Sequence, residues 1–286
     1  MISDITLGQF FPGESVIHRL DPRTKIILSV IFIVSVFLAS TPLAFVALIL
    51  FTYAMISVSK ISSRIILKGI KPIIVVLIFT AIINVFMTKG DSEPLFSFWI
   101  IKIYTEGIVR AVFMAIRVVI LIVGTSVLLT YTTSPIALTD GIESLLSPLK
   151  KIKVPVHLFA MMMTIALRFI PTLVEETEKI MNAQKSRGAD FSSGGLIKRA
   201  KSLIPIIIPL FVSSFKRAEE LATAMECRCY RGDKNRTKLV KLSYRTADII
   251  WIAATAAFLG AIIALRVLVH HIAAENIVMR ILFYII

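Results

Sequence analysis

The chain has 286 residues, of which 57% are hydrophobic and only 17% charged, against roughly 25% charged in a soluble domain. Its apolar residues are bunched, and positions 26–58, 72–88, 118–139 and 249–265 hold no Asp, Glu, Lys or Arg. Such runs approach the ~20 residues that cross a hydrocarbon core of about 30 Å. A secreted globular enzyme is excluded, and the fold class is all-α, a polytopic integral membrane protein.

The net charge is +14, from 32 Lys+Arg against 18 Asp+Glu. In a soluble chain that excess would point to nucleic acid. Here the basic residues fall between the apolar runs, as they do in the cytoplasmic loops of bilayer-spanning proteins, so the expected partner is the lipid bilayer and not nucleic acid. Cys227 and Cys229 are the only cysteines, too few for a disulfide framework or a four-cysteine zinc site. Met1–Lys25 contains Asp4, Glu14, Asp21 and two prolines, which is not the pattern of a signal peptide.

As one straight helix the first apolar run would be about 50 Å long at ~1.5 Å per residue, too long for one untilted span. Pro42, in Ser40-Thr41-Pro42, lacks the N–H and breaks a helix. The expectation is a hairpin of two short spans, 26–40 and 43–58. A hairpin also puts Arg19, Arg23 and Lys25 on the same side as Lys60, Arg64, Lys68 and Lys71, as the positive-inside rule prefers. The chain then crosses outward over 72–88, passes an extracytoplasmic loop at 89–106, and returns through 107–131. A last span at about 246–266 leads outward again. Five transmembrane helices are thus expected, in three regions: 1–131 in the membrane, 132–245 in the cytoplasm, and 246–286 as the final span and tail.

Segment 132–245 carries 19 Lys+Arg and 10 Asp+Glu, which places it inside. Its apolar stretches Val154–Leu167 and Ser202–Phe215 are too short to span comfortably and read as helices lying against the bilayer. Pro155, Pro171, Pro205 and Pro209 are expected to start or bend helices.

An internal repeat runs through this segment. At an offset of 44, Glu175-Glu176, Met181 and Arg187-Gly188 match Glu219-Glu220, Met225 and Arg231-Gly232. Each copy follows a proline (Pro171, Pro209), is acidic early and basic late, and ends at glycine, which are helix start, dipole and stop signals in order. Two helices of about 18 and up to about 24 residues are expected, each delivering Arg-Gly at its C-terminal tip. Arginine plus glycine is by itself a good helix cap, and arginine can also make bidentate contacts to a carboxylate on another protein. Two such tips suggest docking onto a pair of similar partners. The chain has no G-x-x-x-x-G-K-[ST], so any nucleotide chemistry must come from those partners.

These residues resemble a known family, the transmembrane coupling subunit (T component, EcfT, including CbiQ-like proteins) of energy-coupling factor transporters. The stretch Pro12-Gly13-Glu14-Ser15-Val16-Ile17-His18-Arg19-Leu20-Asp21-Pro22-Arg23-Thr24-Lys25 is similar to the family's opening. Ser186-Arg187-Gly188 and Tyr230-Arg231-Gly232 are similar to its paired Xaa-Arg-Gly motifs, with Ser186 and Tyr230 where alanine is often found. The likeness covers roughly 1–266.

The resemblance implies a non-catalytic scaffold with long cytoplasmic coupling helices. It would hold two ABC-type ATPases through Arg187 and Arg231, and on its other flank an S component that binds the vitamin or metal-ion cargo. The chain itself would need no cofactor, with ATP bound by the partner ATPases. It would sit in the cell membrane with the N-terminus and coupling helices in the cytoplasm.

Several other residues carry two readings each. Arg117, on the face of Arg110, lies inside a span, where a charge is a functional candidate or snorkels or pairs with a neighbour. Asp21-Pro22-Arg23 either braces the first span against the cytoplasmic helices or is a helix start with Asp21 as cap and Pro22 at the first position. Met161-Met162-Met163 suits an adaptable sliding surface or plain packing. His18, His157, His270 and His271 do not form a ligand set, since adjacent helix residues do not share a face. Two other classes of function compete. A membrane-embedded lipid-acting enzyme would rely on the paired acids Glu175/Glu176 and Glu219/Glu220. A secondary transporter would normally show inverted membrane repeats, whereas this repeat is direct.

Overall fold

A computed structural model of the chain describes residues 10–88, 96–98, 101–189, 191, 195–230, 232 and 242–275. Apart from one small hairpin, the regular structure among these residues is helical, and the chain divides into two compact units, one of Gln9–Gly141 with Leu242–Ile286, the other of Ile142–Lys241 with Met1–Gly8.

In the first of these units, α1 (Pro22–Leu38) and α2 (Pro42–Ser59) form the expected hairpin. Thr41 stops one helix and starts the next, its Oγ1 accepting from the Ala44 N–H at 3.2 Å ahead of Pro42 at the first helical position. Helix α3 (Ser63–Ile70) passes through a 3₁₀ turn, Lys71–Ile73, into α4 (Ile74–Met87). Pro72 has no N–H to donate, which is why the turn tightens there. Strands β1 (Phe96–Phe98) and β2 (Ile101–Ile103) pair antiparallel, Phe96 opposite Ile103. Helix α5 (Thr105–Thr125) widens into a π-turn over Ser126–Thr130, closed by Tyr131 N–H donating to the Ser126 carbonyl at 2.9 Å. Helix α6 (Pro135–Leu145) follows, and α9 (Thr246–Glu275) completes this unit.

The core of this unit gathers Leu28, Phe32, Val36, Leu48, Ile120, Leu128 and Ile262, all 5% exposed or less. Phe51 stacks between Phe32 and Phe258, with ring centroids 6.2 and 4.3 Å away, tying α1, α2 and α9 together. Gly124 is needed where α5 meets α1, because a Cβ there would overlap the Phe32 ring. Large apolar side chains such as Leu50, Tyr53, Val75, Phe79 and Met87 point outward, where acyl chains replace water as solvent.

In the other unit, α7 (Val156–Ser186) and α8 (Leu196–Cys227) follow a 3₁₀ segment, Ser147–Ile152. These helices correct the expected lengths, since each begins well before its proline and reaches 31 and 32 residues. Pro171, Pro205 and Pro209 lie inside them. An interior proline costs about 3 kcal/mol, yet the apolar turns on both sides continue the helix. Pro205 and Pro209 are one turn apart, so their defects fall on one side of α8.

Among the described residues, five helices are long and apolar enough to cross a membrane: Pro42–Ser59, Ser63–Met87, Thr105–Thr130, Val156–Ser186 and Thr246–Val269. The number agrees with the expectation but the membership differs. At 17 residues α1 is about 25 Å long, short of the core thickness. Val154–Leu167, expected to be too short to span, is continuous with the rest of α7.

Candidate partner-docking site

Helix α7 ends at Ser186, with Arg187 as C-cap and Gly188 at φ 86°. The Gly188 N–H donates to the Lys185 carbonyl at 2.9 Å and the Ala189 N–H to the Gln184 carbonyl at 3.0 Å. This paired closure is the Schellman cap, which uses a left-handed residue, usually glycine, to turn the chain off the helix. Ser186 Oγ donates back to the Asn182 carbonyl at 3.1 Å. Ser186, Arg187 and Gly188 are all exposed, so the arginine projects from a rigid helix end.

Helix α8 ends the same way, three residues earlier than the repeat suggested. Its last residue is Cys227, its C-cap is Arg228, and the left-handed position is Cys229 at φ 57°. The Cys229 N–H donates to the Glu226 carbonyl at 2.8 Å and the Tyr230 N–H to the Met225 carbonyl at 3.1 Å. Bond for bond, Cys227-Arg228-Cys229 reproduces Ser186-Arg187-Gly188. The expected tip Tyr230-Arg231-Gly232 therefore does not end the helix. Tyr230 is the residue after the cap, Gly232 is a further left-handed residue at φ 76°, and Arg231 lies outside the described residues. The offset of 44 hid this because it matched the acidic pairs and the glycines, whereas backbone closure obeys an offset of 41. An arginine recurring at 187 and 228 was the one signal available.

The two helices are joined upstream of their tips by Arg217, which donates to Glu176 Oε2 at 2.9 Å. One of the paired acids is thereby accounted for as an interhelical anchor. Near the start of α7, His157 Nδ1 and Glu143 Oε1 are 2.9 Å apart, both residues buried. Ile165, Phe169 and Leu173 of α7 and Leu221, Ala222 and Met225 of α8 line an apolar groove. Met162 and Met163 are half exposed.

In the unit that holds α1 and α9, the opening motif forms a buried polar knot. Asp21 caps α1, its Oδ1 accepting from the Arg23 N–H at 2.9 Å and Nε at 3.1 Å, with Pro22 at the first helical position. Asp248, fully buried, accepts from the Asp21 N–H at 2.9 Å and from the Arg245 N–H at 2.7 Å. One carboxylate thus satisfies the N-termini of α1 and α9 together, and negative charge suits both helix dipoles. Lys25 Nζ donates to the carbonyls of Thr132 at 2.7 Å and His18 at 3.2 Å, and the Arg23 guanidinium lies 4.2 Å from the Tyr244 ring centre. The structure shows the helix-start reading of Asp21-Pro22-Arg23; the brace it shows is to α9, through Asp248, which sequence reasoning missed.

Burial and Lys25 hold the His18 imidazole below its ordinary 6.5, although the Phe11 carbonyl pulls the other way. His18 lies ahead of α1, with its Nδ1 2.6 Å from Ser15 Oγ and its Nε2 3.0 Å from the Phe11 carbonyl. Arg117 pairs with a neighbour: its guanidinium donates to the Ala39 carbonyl at the end of α1 at 2.7 Å and lies 5.3 Å from the Phe45 ring centre. His270 and His271 have no described side chains.

The fold and these features define a multi-pass helical membrane protein that presents two arginine-capped helix ends of matching geometry. Residues 13–239 match the CbiQ family, described as cobalt transport protein, and the chain belongs to that family. It is also similar to proteins named energy-coupling factor transporter transmembrane protein EcfT. That of Clostridium kluyveri is 56% identical over 250 residues, 87% of this chain and 92% of the relative. That of Ruminiclostridium cellulolyticum is 54% identical over 266 residues, 93% and 98% of the two chains, and that of Bacillus subtilis 48% identical over 248 residues, 87% and 93%.

Proposed function

We propose that this protein is the transmembrane coupling subunit of an energy-coupling factor importer. The tips of α7 and α8 each seat in one of two ABC-type ATPases, and the subunit also holds a substrate-binding S component. ATP is bound and hydrolysed by the partners, and the chain itself is not an enzyme. The observation that carries this reading is the identical cap at two exposed arginines, Arg187 and Arg228, on helices long enough to act as levers. A closing motion of the ATPase pair shifts the two tips together. Rigid helices joined by the Arg217–Glu176 pair pass that shift to the S component, which reorients and releases its vitamin or metal-ion cargo inside.

The second docking arginine is Arg228, the structural counterpart of Arg187. The basic segments support a reading in which the protein sits in the cell membrane with its N-terminus and both tips in the cytoplasm. Co-purification of the chain with its ATPases tests the reading. Arg187→Ala and Arg228→Ala should each lose ATPase binding or ATP-driven uptake, and Arg231→Ala should lose less than Arg228→Ala. Binding and uptake at wild-type levels in the Arg187→Ala/Arg228→Ala double variant would reduce both residues to helix caps and defeat the proposal. Cys227 and Cys229 are exposed and report the topology directly. A membrane-impermeant maleimide should label them in inverted vesicles but not in intact cells.

A further inference from the structure

Between Asp21 and Asp91 the sequence has no acidic residue. Four of the basic residues in that interval, Lys60, Arg64, Lys68 and Lys71, fall on α3 and the turns that bound it. One face of α3 is fixed against the protein. Ile66 is buried with Val123, Val127 and Tyr131, and Ile65 and Ile70 pack on the same cluster. Gly69 lies so close to the Tyr131 hydroxyl that a Cβ would overlap it, so α3 cannot roll without losing this seat.

The opposite face carries Arg64, Leu67, Lys68 and then Lys71, all exposed, at the three- and four-residue spacing that makes one stripe. Leu67 is 66% exposed. An exposed leucine among cations suits the boundary between headgroups and acyl chains, where apolar side chains dip inward and basic ones stay at the phosphates. Lys60 ends α2 at φ 55° with its side chain exposed. The backbone there favours glycine, yet the position carries a further exposed charge just ahead of α3.

The location agrees. Ser63–Met87 is a 25-residue apolar helix, about 37 Å at ~1.5 Å per residue, longer than a hydrocarbon core of about 30 Å. Its uncharged part is 72–88, so the end that emerges among the headgroups is α3. We propose that the exposed face of α3, with Lys60, Arg64, Lys68 and Lys71, is a binding surface for negatively charged phospholipid headgroups. Four cations with no neighbouring acid in sequence match lipid phosphates, and the seated opposite face holds them at one depth.

The test uses the full chain purified in mild detergent and titrated with phosphatidylglycerol or phosphatidylcholine, bound lipids being counted by native mass spectrometry. Wild type should retain phosphatidylglycerol in preference by at least about tenfold, since each basic residue near an anionic surface contributes about fivefold. Arg64→Gln/Lys68→Gln/Lys71→Gln should remove most of that preference, leaving no more than the roughly fivefold share of the remaining Lys60, and raised salt should erode it in wild type. Arg64→Lys/Lys68→Arg/Lys71→Arg should keep it, as should a control of equal charge loss, Lys151→Gln/Lys153→Gln/Lys198→Gln. A full preference in the glutamine triple variant, or an equal loss in the control, overturns the proposal. So does a triple variant that keeps its lipid but loses a co-purifying protein, which would make the face a protein contact. If the glutamine triple variant does not fold, salt dependence in wild type and the charge-preserving variant decides, and a preference that persists unchanged at high salt also overturns it.

Discussion

The N-terminal ends of α1 and α9 and the C-terminal ends of α7 and α8 treat charge in opposite ways. At the first pair Asp248 is fully buried, Lys25 is 2% exposed and Asp21 7%, and their polar groups are spent on backbone partners and the Arg23 side chain within the same unit. At the second pair Arg187 and Arg228 are exposed, and the caps close through main-chain bonds, leaving the guanidinium groups to solvent or a partner. A buried, satisfied charge fixes one geometry because any rearrangement strands it. An exposed charge on a rigid end contributes little to stability and remains available for recognition.

That contrast can be broken most decisively at Asp248. Asp248→Ala leaves the buried Asp21 N–H and the part-buried Arg245 N–H unpaired, and removing one partner from a buried charged network costs about 3–5 kcal/mol. The expected result is a large fall in detergent melting temperature and yield, with Asp248→Asn falling less because one acceptor oxygen remains. A melting temperature within a degree or two of wild type would mean that the knot does not hold α1 to α9. The mirror experiment is Arg187→Ala/Arg228→Ala, for which melting should be unchanged while ATPase association is lost. Destabilisation by this pair would show that the tips are structural after all.

A smaller effect is expected at the Arg217–Glu176 pair, whose side chains are 36% and 27% exposed. A double-mutant cycle should give about 1 kcal/mol or less of coupling in stability, while uptake should fall more than ATP hydrolysis if the pair transmits motion between α7 and α8. The smallest effect concerns His18. Its imidazole is held below 6.5 in the fold, so as pH falls through that value the unfolded chain takes up a proton before the folded one does. Stability is therefore full above 6.5 and declines on acidification, and His18→Gln should flatten that part of the melting-temperature profile.

How much of this was legible depended on whether the cause was local. The α1–α2 break at Ser40-Thr41-Pro42 could be read because a capping threonine and a proline act on the turn they occupy. The Asp21 cap with Pro22 beside it was equally readable. The lengths of α7 and α8 were not, because interior prolines normally mark a boundary and only the surrounding apolar turns carry the helix through them. The end of α8 was misplaced because similarity of residues and closure of backbone bonds follow different registers, and Cys229 occupies a conformation that sequence assigns to glycine.

The sequence by itself determined that this is a helical, multi-pass membrane protein of one family, with a basic segment between its spans and a duplicated helix within it. Those features are written in composition, hydropathy and short-range punctuation. Only the tertiary structure decided that Asp248 reaches the Asp21 backbone across 227 residues, that Arg117 closes the end of α1, and that Arg228 occupies the place of Arg187. Each of these is a bond whose partner is chosen by packing, and periodicity along a chain holds no record of which distant carbonyl or amide a side chain will meet.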